Sequence, residues 1–307
     1  MFSRKSTHNS VAGTCTLLYA AISMEYVIVA FGVDELFANY SPSARYYMRV
    51  FATFLFIQFM ANWLCTICYR SDLRETRDNP DIEKLLWDEH PMDGDNDAAR
   101  VKSAQTSEDV TSNKTGLVWR WCDACRMRQP PRAHHCKVCA KCILKRDHHC
   151  FFTGTCIGFY NQRYFVFLMF YMALTVALYM PLFHSYMQLY YAPLTTSYWD
   201  YFLPVTIYSW FTGALEFKWM ILVSHYYVVW WAGIMAFAFL VSQICAIYKG
   251  LTTHEMYKRN EIRSTAKLSD HLNDVFGACW WLNFILPAVI LFKQPGDGKH
   301  WENVKKI

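Results

Sequence analysis

The sequence has little charge for its length. Of its 307 residues only 18% are charged, against roughly 25% in an ordinary soluble domain, whereas 54% are hydrophobic. The basic excess is small as well. A formal net charge of +5 falls short of the basic surface of nucleic-acid-binding proteins, so we expect no nucleic-acid partner. These shortages exclude an ordinary soluble domain and indicate a chain that lies partly in a membrane and partly in water.

Long uncharged runs mark the membrane part. A bilayer core of about 30 Å needs about 20 apolar residues per helix. Four runs meet this requirement, at residues 11–33, 50–69, 164–199 and 219–248. The first contains one charge and is longer than the apolar core of a signal peptide, which favours a retained anchor over a cleaved leader. Two shorter apolar stretches, 201–215 and 275–292, each contain a proline and are expected at the membrane interface.

The basic residues predict the orientation. Of the 30 Lys and Arg residues, only Arg45, Arg49 and Lys218 lie on one side of the four spans. The positive-inside rule makes the opposite side cytosolic. We therefore predict an all-α integral membrane protein with four transmembrane helices and both termini in the cytosol. A cytosolic cysteine-rich domain would lie between helices 2 and 3.

One acidic residue falls inside the first predicted span. Glu25 is an intramembrane carboxylate, and such groups are candidate functional residues. His184 and His225 are expected at a similar depth, so the three could form a polar cluster. The alternative is a carboxyl group that is protonated or hydrogen-bonded at a helix interface.

The cysteines are concentrated in one segment. Seven of the twelve lie between residues 122 and 156, together with four histidines. Such clustering in a reducing compartment favours a metal or a reactive thiol over disulfides. Two structural zinc ions need eight ligands, and neighbouring histidines seldom reach one metal. We predict two interleaved sites with three cysteines and one histidine each: Cys122, Cys125, His135 and Cys142, then Cys136, Cys139, His149 and Cys156.

Three potential ligands are then left over, namely His134, His148 and Cys150. A cysteine two residues beyond a histidine, with Asp147 just before that histidine, supplies a nucleophile, a base and an orienting carboxylate in one turn. The alternative is that His148 and Cys150 complete a third, partial metal site or only pack. The leftover ligands and the membrane setting favour the catalytic interpretation.

These residues resemble a known family, the Asp-His-His-Cys protein S-acyltransferases, also called palmitoyltransferases. The signature stands at Asp147, His148, His149 and Cys150. The similarity extends beyond it to a Thr-Thr-x-Glu motif after the fourth span and to a C-terminal region. The matching positions are Thr252, Thr253, His254 and Glu255, then Val275, Phe276, Gly277, Trp281, Pro287, Gly296, Asp297 and Gly298.

The resemblance implies a two-step transfer. Cys150 would take a fatty acyl group from acyl-CoA and pass it to a substrate cysteine. The expected acyl group is palmitoyl. His148 would be the general base, Asp147 would orient its imidazole, and Thr253 would hydrogen-bond Asp147. Zinc would be structural. Two less specific candidates belong to the acyl cavity. Phe152 could supply an apolar wall, and Thr175 lies where the family tends to set the depth of the cavity.

The same resemblance implies partners and a place in the cell. The expected partners are membrane lipid, fatty acyl-CoA and membrane-associated proteins with cytosolic cysteines. The expected compartment is an endomembrane, the Golgi or the endoplasmic reticulum, with the plasma membrane as the alternative. The active site would face the cytosol.

Three departures from the family pattern are visible. Residues 151–155 read Phe-Phe-Thr-Gly-Thr where the family usually has Pro-Trp-Val-Asn-Asn. After the second span the family usually has Asp-Pro-Gly, whereas here Ser71 and Asp72 are followed by Leu73 and Arg74. In the C-terminal region His271 stands where the family usually has an asparagine. These departures leave the catalytic residues whole but put the acyl preference, the rate and the docking of the tail in question. Two rival functions stay open. One is a catalytically silent, zinc-stabilised membrane scaffold, and the other is a membrane-anchored zinc-domain ubiquitin ligase.

The predicted organisation has five parts. They are an N-terminal tail with helices 1 and 2 (1–70), a flexible cytosolic loop (71–118), the zinc-binding domain (119–163), helices 3 and 4 with their lumenal or extracellular connection (164–249), and a partly membrane-associated cytosolic C-terminal region (250–307).

Overall fold

A computed structural model describes residues 2–27, 33–73, 115–195, 197–258, 262–278, 282 and 294–306. Most of the loop predicted between the second span and the cysteine-rich domain, residues 74–114, lies outside the described residues. The same holds for most of the interfacial stretch expected at 275–292.

The chain is mostly helical. In chain order the helices are α1 (Phe2–Val27), α2 (Val33–Leu36), α3 (Pro42–Cys68), α4 (Gln162–Tyr190), α5 (Leu203–Phe211), α6 (Phe217–Lys249), α7 (Thr253–Tyr257) and α8 (Leu268–Phe276). Within the described ranges, three segments are long and apolar enough to cross a membrane: Pro42–Cys68, Gln162–Leu194 and Phe217–Lys249. They correspond to the second, third and fourth predicted spans. The first predicted span overlaps α1, whose apolar part is the shorter Val11–Val27, and it continues into residues 28–32, which are not described.

The long helices pack around α4, which contacts both α3 and α6. Gly233 allows the approach of α6, because a Cβ atom there would lie 2.4 Å from Val176 Cγ1 of α4, and small residues let membrane helices come close. Among the polar side chains, the Thr53 hydroxyl donates to Glu25 Oε1 at 2.9 Å. His225 instead contacts the Tyr179 hydroxyl at 2.7 Å, so the predicted partners of Glu25 are replaced by a threonine of α3.

The connection between α4 and α6 is rich in exposed aromatic side chains. It contains two short 3-10 helices (Ala192–Leu194 and Tyr198–Tyr201) and α5. Tyr198 is 95% exposed and Phe211 83% exposed. Aromatic side chains of this kind are enriched where a membrane meets water.

The cysteine-rich segment forms three antiparallel hairpins of three-residue strands. They pair β1 (Arg120–Cys122) with β2 (Met127–Gln129), β3 (His134–Cys136) with β4 (Lys141–Ile143), and β5 (His148–Cys150) with β6 (Thr155–Ile157). A fourth antiparallel pair joins two strands that are far apart in the sequence, β7 (Ile262–Ser264) and β8 (Val304–Lys306). The all-α prediction missed these strands, because three residues are too few to show the alternation that marks a strand in a sequence.

Asn161, just before α4, anchors the hairpins to the helices. Its side-chain amide donates to the Thr66 carbonyl of α3 at 3.0 Å and to the Cys156 carbonyl of β6 at 2.9 Å. Its Oδ1 accepts the Gly158 N–H at 2.8 Å. Ser71, three residues after the end of α3, accepts the Tyr160 N–H at 2.9 Å through its hydroxyl. These bonds fix the cysteine-rich segment against the ends of α3 and α4.

Candidate active site

The structure gathers the two predicted ligand sets. Within each set the four ligand atoms all lie within 4.8 Å of one another. The sets are Cys122, Cys125, His135 and Cys142, and Cys136, Cys139, His149 and Cys156. Each set joins neighbouring hairpins, the first through β1 and β3 and the second through β3 and β5. The cysteine-rich segment can therefore bind metal at two places.

The donor geometry fits zinc. With Zn–S near 2.3 Å and Zn–N near 2.0–2.1 Å, tetrahedral coordination separates ligand atoms by about 3.3–3.8 Å. His149 Nδ1 lies 3.3 Å from Cys139 Sγ, 3.6 Å from Cys156 Sγ and 3.8 Å from Cys136 Sγ. Cys139 Sγ and Cys156 Sγ are 3.6 Å apart. In the first set, Cys125 Sγ and His135 Nδ1 are 3.2 Å apart.

Cys150 and His148 share one face of β5. Side chains two residues apart in a strand point to the same side, so the intervening His149 points to the second ligand set. Cys150 is buried in the main apolar core. The His148 ring lies edge-on to Phe165 of α4, with centroids 5.0 Å apart, and stacks on Phe239 of α6 at 5.8 Å. The candidate nucleophile therefore faces the membrane helices and not the surrounding water.

Asp147 accepts three hydrogen bonds through its carboxylate. It is 2% exposed. Its Oδ2 accepts from His148 Nδ1 and from Gln243 Nε2, both at 2.7 Å. Its Oδ1 accepts the backbone N–H of Thr253 at 2.5 Å. The family resemblance implies a bond between Thr253 and Asp147; in the structure Thr253 lies at Asp147, and its main chain makes the direct bond. The Thr253 hydroxyl instead lies 3.2 Å from Gln243 Nε2.

Charge interactions overcome burial at this site. Burial opposes ionisation of Asp147, but hydrogen bonds from His148, Thr253 and Gln243 lower its pKa. Burial likewise disfavours the charged imidazole, yet the bond to Asp147 and the interaction with Cys150 raise the pKa of His148 to about 9. Burial would raise the pKa of Cys150, but His148 and Thr153 lower it below its usual value. The same surroundings thus favour the protonated imidazole of His148 and lower the pKa of the neighbouring Cys150 thiol, as expected for a reactive cysteine.

The two less specific candidates lie at different depths. Phe152 packs edge-on against Phe239, with centroids 6.3 Å apart. Thr14 of α1 donates its hydroxyl hydrogen to the Phe152 carbonyl at 3.1 Å, so α1 contacts the turn that follows Cys150. Thr175 lines a cavity of about 280 Å³ between α1, α3 and α4, together with Glu25 and Tyr179.

A buried ion pair links α7 to the hairpins. Arg132 donates from Nε and from Nη2 to the two carboxylate oxygens of Glu255, each at 2.7 Å. Glu255 also closes a capping box with Thr252 at the start of α7. The ring of the leftover His134 packs against His254 of the same helix, with centroids 4.3 Å apart and the rings tilted by 39°. The Thr-Thr-x-Glu segment therefore holds the hairpins and Asp147 together.

The departures from the family pattern take defined positions. Thr153 is 4% exposed and is one of the groups that lower the pKa of Cys150. Leu73 is buried beside Cys142 and Leu144. His271 contacts the Ser264 hydroxyl at 2.8 Å and lies against Gly250.

Sequence reasoning missed two residues of the site, Gln243 and Gln162. The Gln162 side chain donates to Gln243 Oε1 at 3.0 Å, behind the bond from Gln243 to Asp147. Both are almost fully buried. The sequence did contain a signal for Gln243, since it is a glutamine within the uncharged run 219–248. Polar residues inside membrane segments often mark functional sites.

Known proteins share this arrangement of motifs. Residues 118–260 match the DHHC palmitoyltransferase family. The chain is 33% identical over 179 residues to palmitoyltransferase ZDHHC22 of Danio rerio, covering 56% of this chain and 63% of that protein. It is 30% identical over 207 residues to palmitoyltransferase PFA3 of Kluyveromyces lactis, covering 58% of this chain and 56% of that protein.

A third relative matches a shorter segment. Palmitoyltransferase ZDHHC2 of Rattus norvegicus is 39% identical over 84 residues, which is 27% of this chain and 23% of that protein. The matches thus span less than two thirds of the length of these curated relatives. The family match at residues 118–260 includes the segment that carries the two metal-capable sets and Asp147, His148 and Cys150. Residues 118–260 of this chain are therefore a domain of the DHHC palmitoyltransferase family.

Proposed function

We propose that this protein is a protein S-acyltransferase that moves a fatty acyl group, with palmitoyl as the expected chain, from acyl-CoA to cysteines of other proteins. The observation that carries the proposal is Cys150, a buried thiol beside an imidazole whose far nitrogen is held by a buried carboxylate. A thiol that only packs needs no such partners. The palmitoyltransferase names of the relatives support the same reaction class.

In the first step the Cys150 thiolate attacks the thioester carbonyl of acyl-CoA. A bond forms between Sγ and the carbonyl carbon, and the carbonyl electrons move to oxygen. When the carbonyl reforms, the bond from carbon to the CoA sulfur breaks, and protonated His148 supplies the proton that the CoA thiolate takes. In the second step His148 accepts the proton of a substrate thiol, whose sulfur attacks the acyl-Cys150 thioester and releases the Cys150 thiolate. Asp147 keeps the His148 ring oriented throughout.

The two ligand sets would each hold one structural zinc ion. Zinc would brace three hairpins that have only small apolar cores of their own. Because His149 lies between His148 and Cys150, fixing it to a metal also fixes the backbone that carries the nucleophile. Zinc therefore supplies rigidity in this proposal, and the chemistry belongs to Asp147, His148 and Cys150.

The acyl chain would lie among the membrane helices while the CoA group stays in the cytosol. Support comes from the position of Cys150, which faces α4 and α6 and not water. Phe152 would form part of the wall, and Thr175 would face the far end of the chain. Burying the tail contributes about 0.8 kcal/mol per methylene. Lipid and membrane-associated proteins with cytosolic cysteines would be the partners.

The proposed topology has four spans, with α1 and the residues after it as the first. Both termini and the hairpins would face the cytosol. The boundaries of the five parts of the chain, after residues 70, 118, 163 and 249, follow from this topology. An endomembrane, the Golgi or the endoplasmic reticulum, would be the site of action. In this topology Asn39 lies on the lumenal or extracellular side and Asn113 on the cytosolic side. A glycan on Asn39 would therefore support the topology, and a glycan on Asn113 would overturn it.

The test is an acylation assay on the purified full chain. Incubated with labelled palmitoyl-CoA, the wild-type protein should form a hydroxylamine-sensitive adduct that Cys150→Ser lacks. Cys245→Ser is the matched control, since Cys245 is an exposed cysteine of α6, and it should label as the wild type does. Equal labelling of wild type and Cys150→Ser, or no labelling of either, refutes the proposal and favours the scaffold.

A further inference from the structure

Gln243, on α6, is buried at the point where three parts of the chain meet. It is 1% exposed. One side of its amide contacts Asp147 Oδ2 at 2.7 Å and Thr253 Oγ1 at 3.2 Å. The other side contacts Gln162 Nε2 at 3.0 Å. A membrane helix rarely buries an amide group without a specific partner, because an unpaired one is costly.

The orientation of this amide is settled by chemistry. A carboxylate only accepts hydrogen bonds, so the Gln243 nitrogen faces Asp147 and the oxygen faces away. The oxygen then needs a donor, and the Gln162 amide at the start of α4 provides it. The chain of donors runs from Gln162 to Gln243 to Asp147.

The backbone after α6 brings Thr253 to the same carboxylate. Gly250 ends α6 in a left-handed conformation with φ of 65°. A Cβ atom there would lie 2.4 Å from His271 Nε2, so the sharp turn requires glycine. Asp147 is thus held by α6 through Gln243, and by the start of α7 through the Thr253 N–H.

We infer that Gln243 is a positioning residue of the acylation site, which holds the Asp147 carboxylate in place against the His148 ring. The inference rests on the proposed function. Oδ2 of Asp147 serves both Gln243 and His148. Without the amide, the carboxylate is freer to turn about its Cβ–Cγ bond, and the His148 ring that it binds is held less firmly. Gln243 itself does not touch the acyl donor in this account, and Gln162 supports it from behind.

The test compares variants of the full-length protein in Cys150 acylation. Gln243→Met keeps the side-chain length and removes the donor. We expect kcat to fall about 10- to 100-fold, the range for outer groups that orient an active side chain, with KM for palmitoyl-CoA unchanged. Gln243→His retains an N–H at the ε position and should recover most of the rate. Gln162→Leu, which leaves Gln243 in place but frees its oxygen, should lower kcat by less.

Gln58→Leu is the matched control, because Gln58 is a buried glutamine of α3, whereas the bonds to the Asp147 side chain come from His148, Gln243 and Thr253. Its kcat should equal that of the wild type. A Gln243→Met protein that acylates at the wild-type rate overturns the inference. The inference also fails if the fall in rate of Gln243→Met equals its fall in folded protein and Gln243→His does not recover the rate. Gln243 would then be a packing residue only.

A second readout separates the inference from the proposed function. Alkylation of Cys150 by iodoacetamide, mapped by mass spectrometry, reports the same alignment of thiol and imidazole without an acyl donor. Gln243→Met should slow it and Gln58→Leu should not. If the wild type is never acylated, the proposed function fails, and these alkylation rates still decide the role of Gln243.

Discussion

Replacing Asp147 with asparagine tests how much the orientation of His148 contributes. The carboxylate accepts three hydrogen bonds, from His148, Gln243 and the Thr253 N–H. Asparagine has only one accepting oxygen. Its NH₂ group replaces the other carboxylate oxygen and faces a hydrogen-bond donor, with which it cannot bond. In the orientation that keeps the Thr253 bond, the bonds from His148 and Gln243 are both lost.

The expected loss follows from those two bonds. A hydrogen bond to a charged group contributes about 1.5–3 kcal/mol, so two contribute about 3–6 kcal/mol. At 1.36 kcal/mol per factor of ten, this predicts a fall of about 10²- to 10⁴-fold in the acylation rate. Serine proteases lose about 10⁴-fold when the aspartate that orients their histidine becomes asparagine.

The assay is single-turnover acylation of Cys150 by labelled palmitoyl-CoA, measured on protein whose folded fraction is known. Asp123→Asn is the control, since Asp123 is an exposed aspartate of the first hairpin, and its rate should equal that of the wild type. A fall of less than about tenfold for Asp147→Asn, which corresponds to about 1.4 kcal/mol, would refute the reasoning.

Two further predictions concern the support of the site. Cys139→Ser removes one ligand of the second set, so the metal content of the purified protein should fall from two zinc ions per chain to one, measured by elemental analysis; an unchanged ratio contradicts the assigned ligands. Glu255→Gln leaves Arg132 buried without its counter-charge and should lower stability by about 3–5 kcal/mol at pH 7. The pKa of Glu255 is held below 4.5 mainly by Arg132, against the effect of burial, so this stabilisation is complete above pH 4.5 and is lost as the pH falls through the lowered value. The difference in Tm between wild type and Glu255→Gln should therefore shrink below pH 4.5, and a constant difference would contradict the ion pair.

Local spacing carried most of the site. The two-residue gaps and the count of eight ligands were enough to divide the cysteines and histidines into the sets that the structure gathers. Asp147, His148 and Cys150 are neighbours in the chain, so no knowledge of the fold was needed to group them. The apolar runs also located the three candidate membrane helices, although α3 begins eight residues earlier than predicted, at Pro42.

Contacts between distant segments could not be predicted from the sequence. The pairing of Arg132 with Glu255 joins residues 123 positions apart, and no local pattern links them. Gln243 was visible only as one polar residue in an apolar run, where a helix-packing role was equally compatible with the sequence. The bond from Thr253 comes from its backbone N–H, which side-chain identity cannot predict.

The central claim is that the acyl group passes through Cys150, and a pulse-chase experiment tests it most directly. Wild-type protein is loaded with labelled palmitoyl-CoA, freed of excess donor, and mixed with a membrane-associated protein that carries a cytosolic cysteine. The account predicts that label leaves Cys150 and appears on the acceptor at the same rate, in equal amount. Label that stays on Cys150 while the acceptor is acylated only when acyl-CoA is present would contradict it.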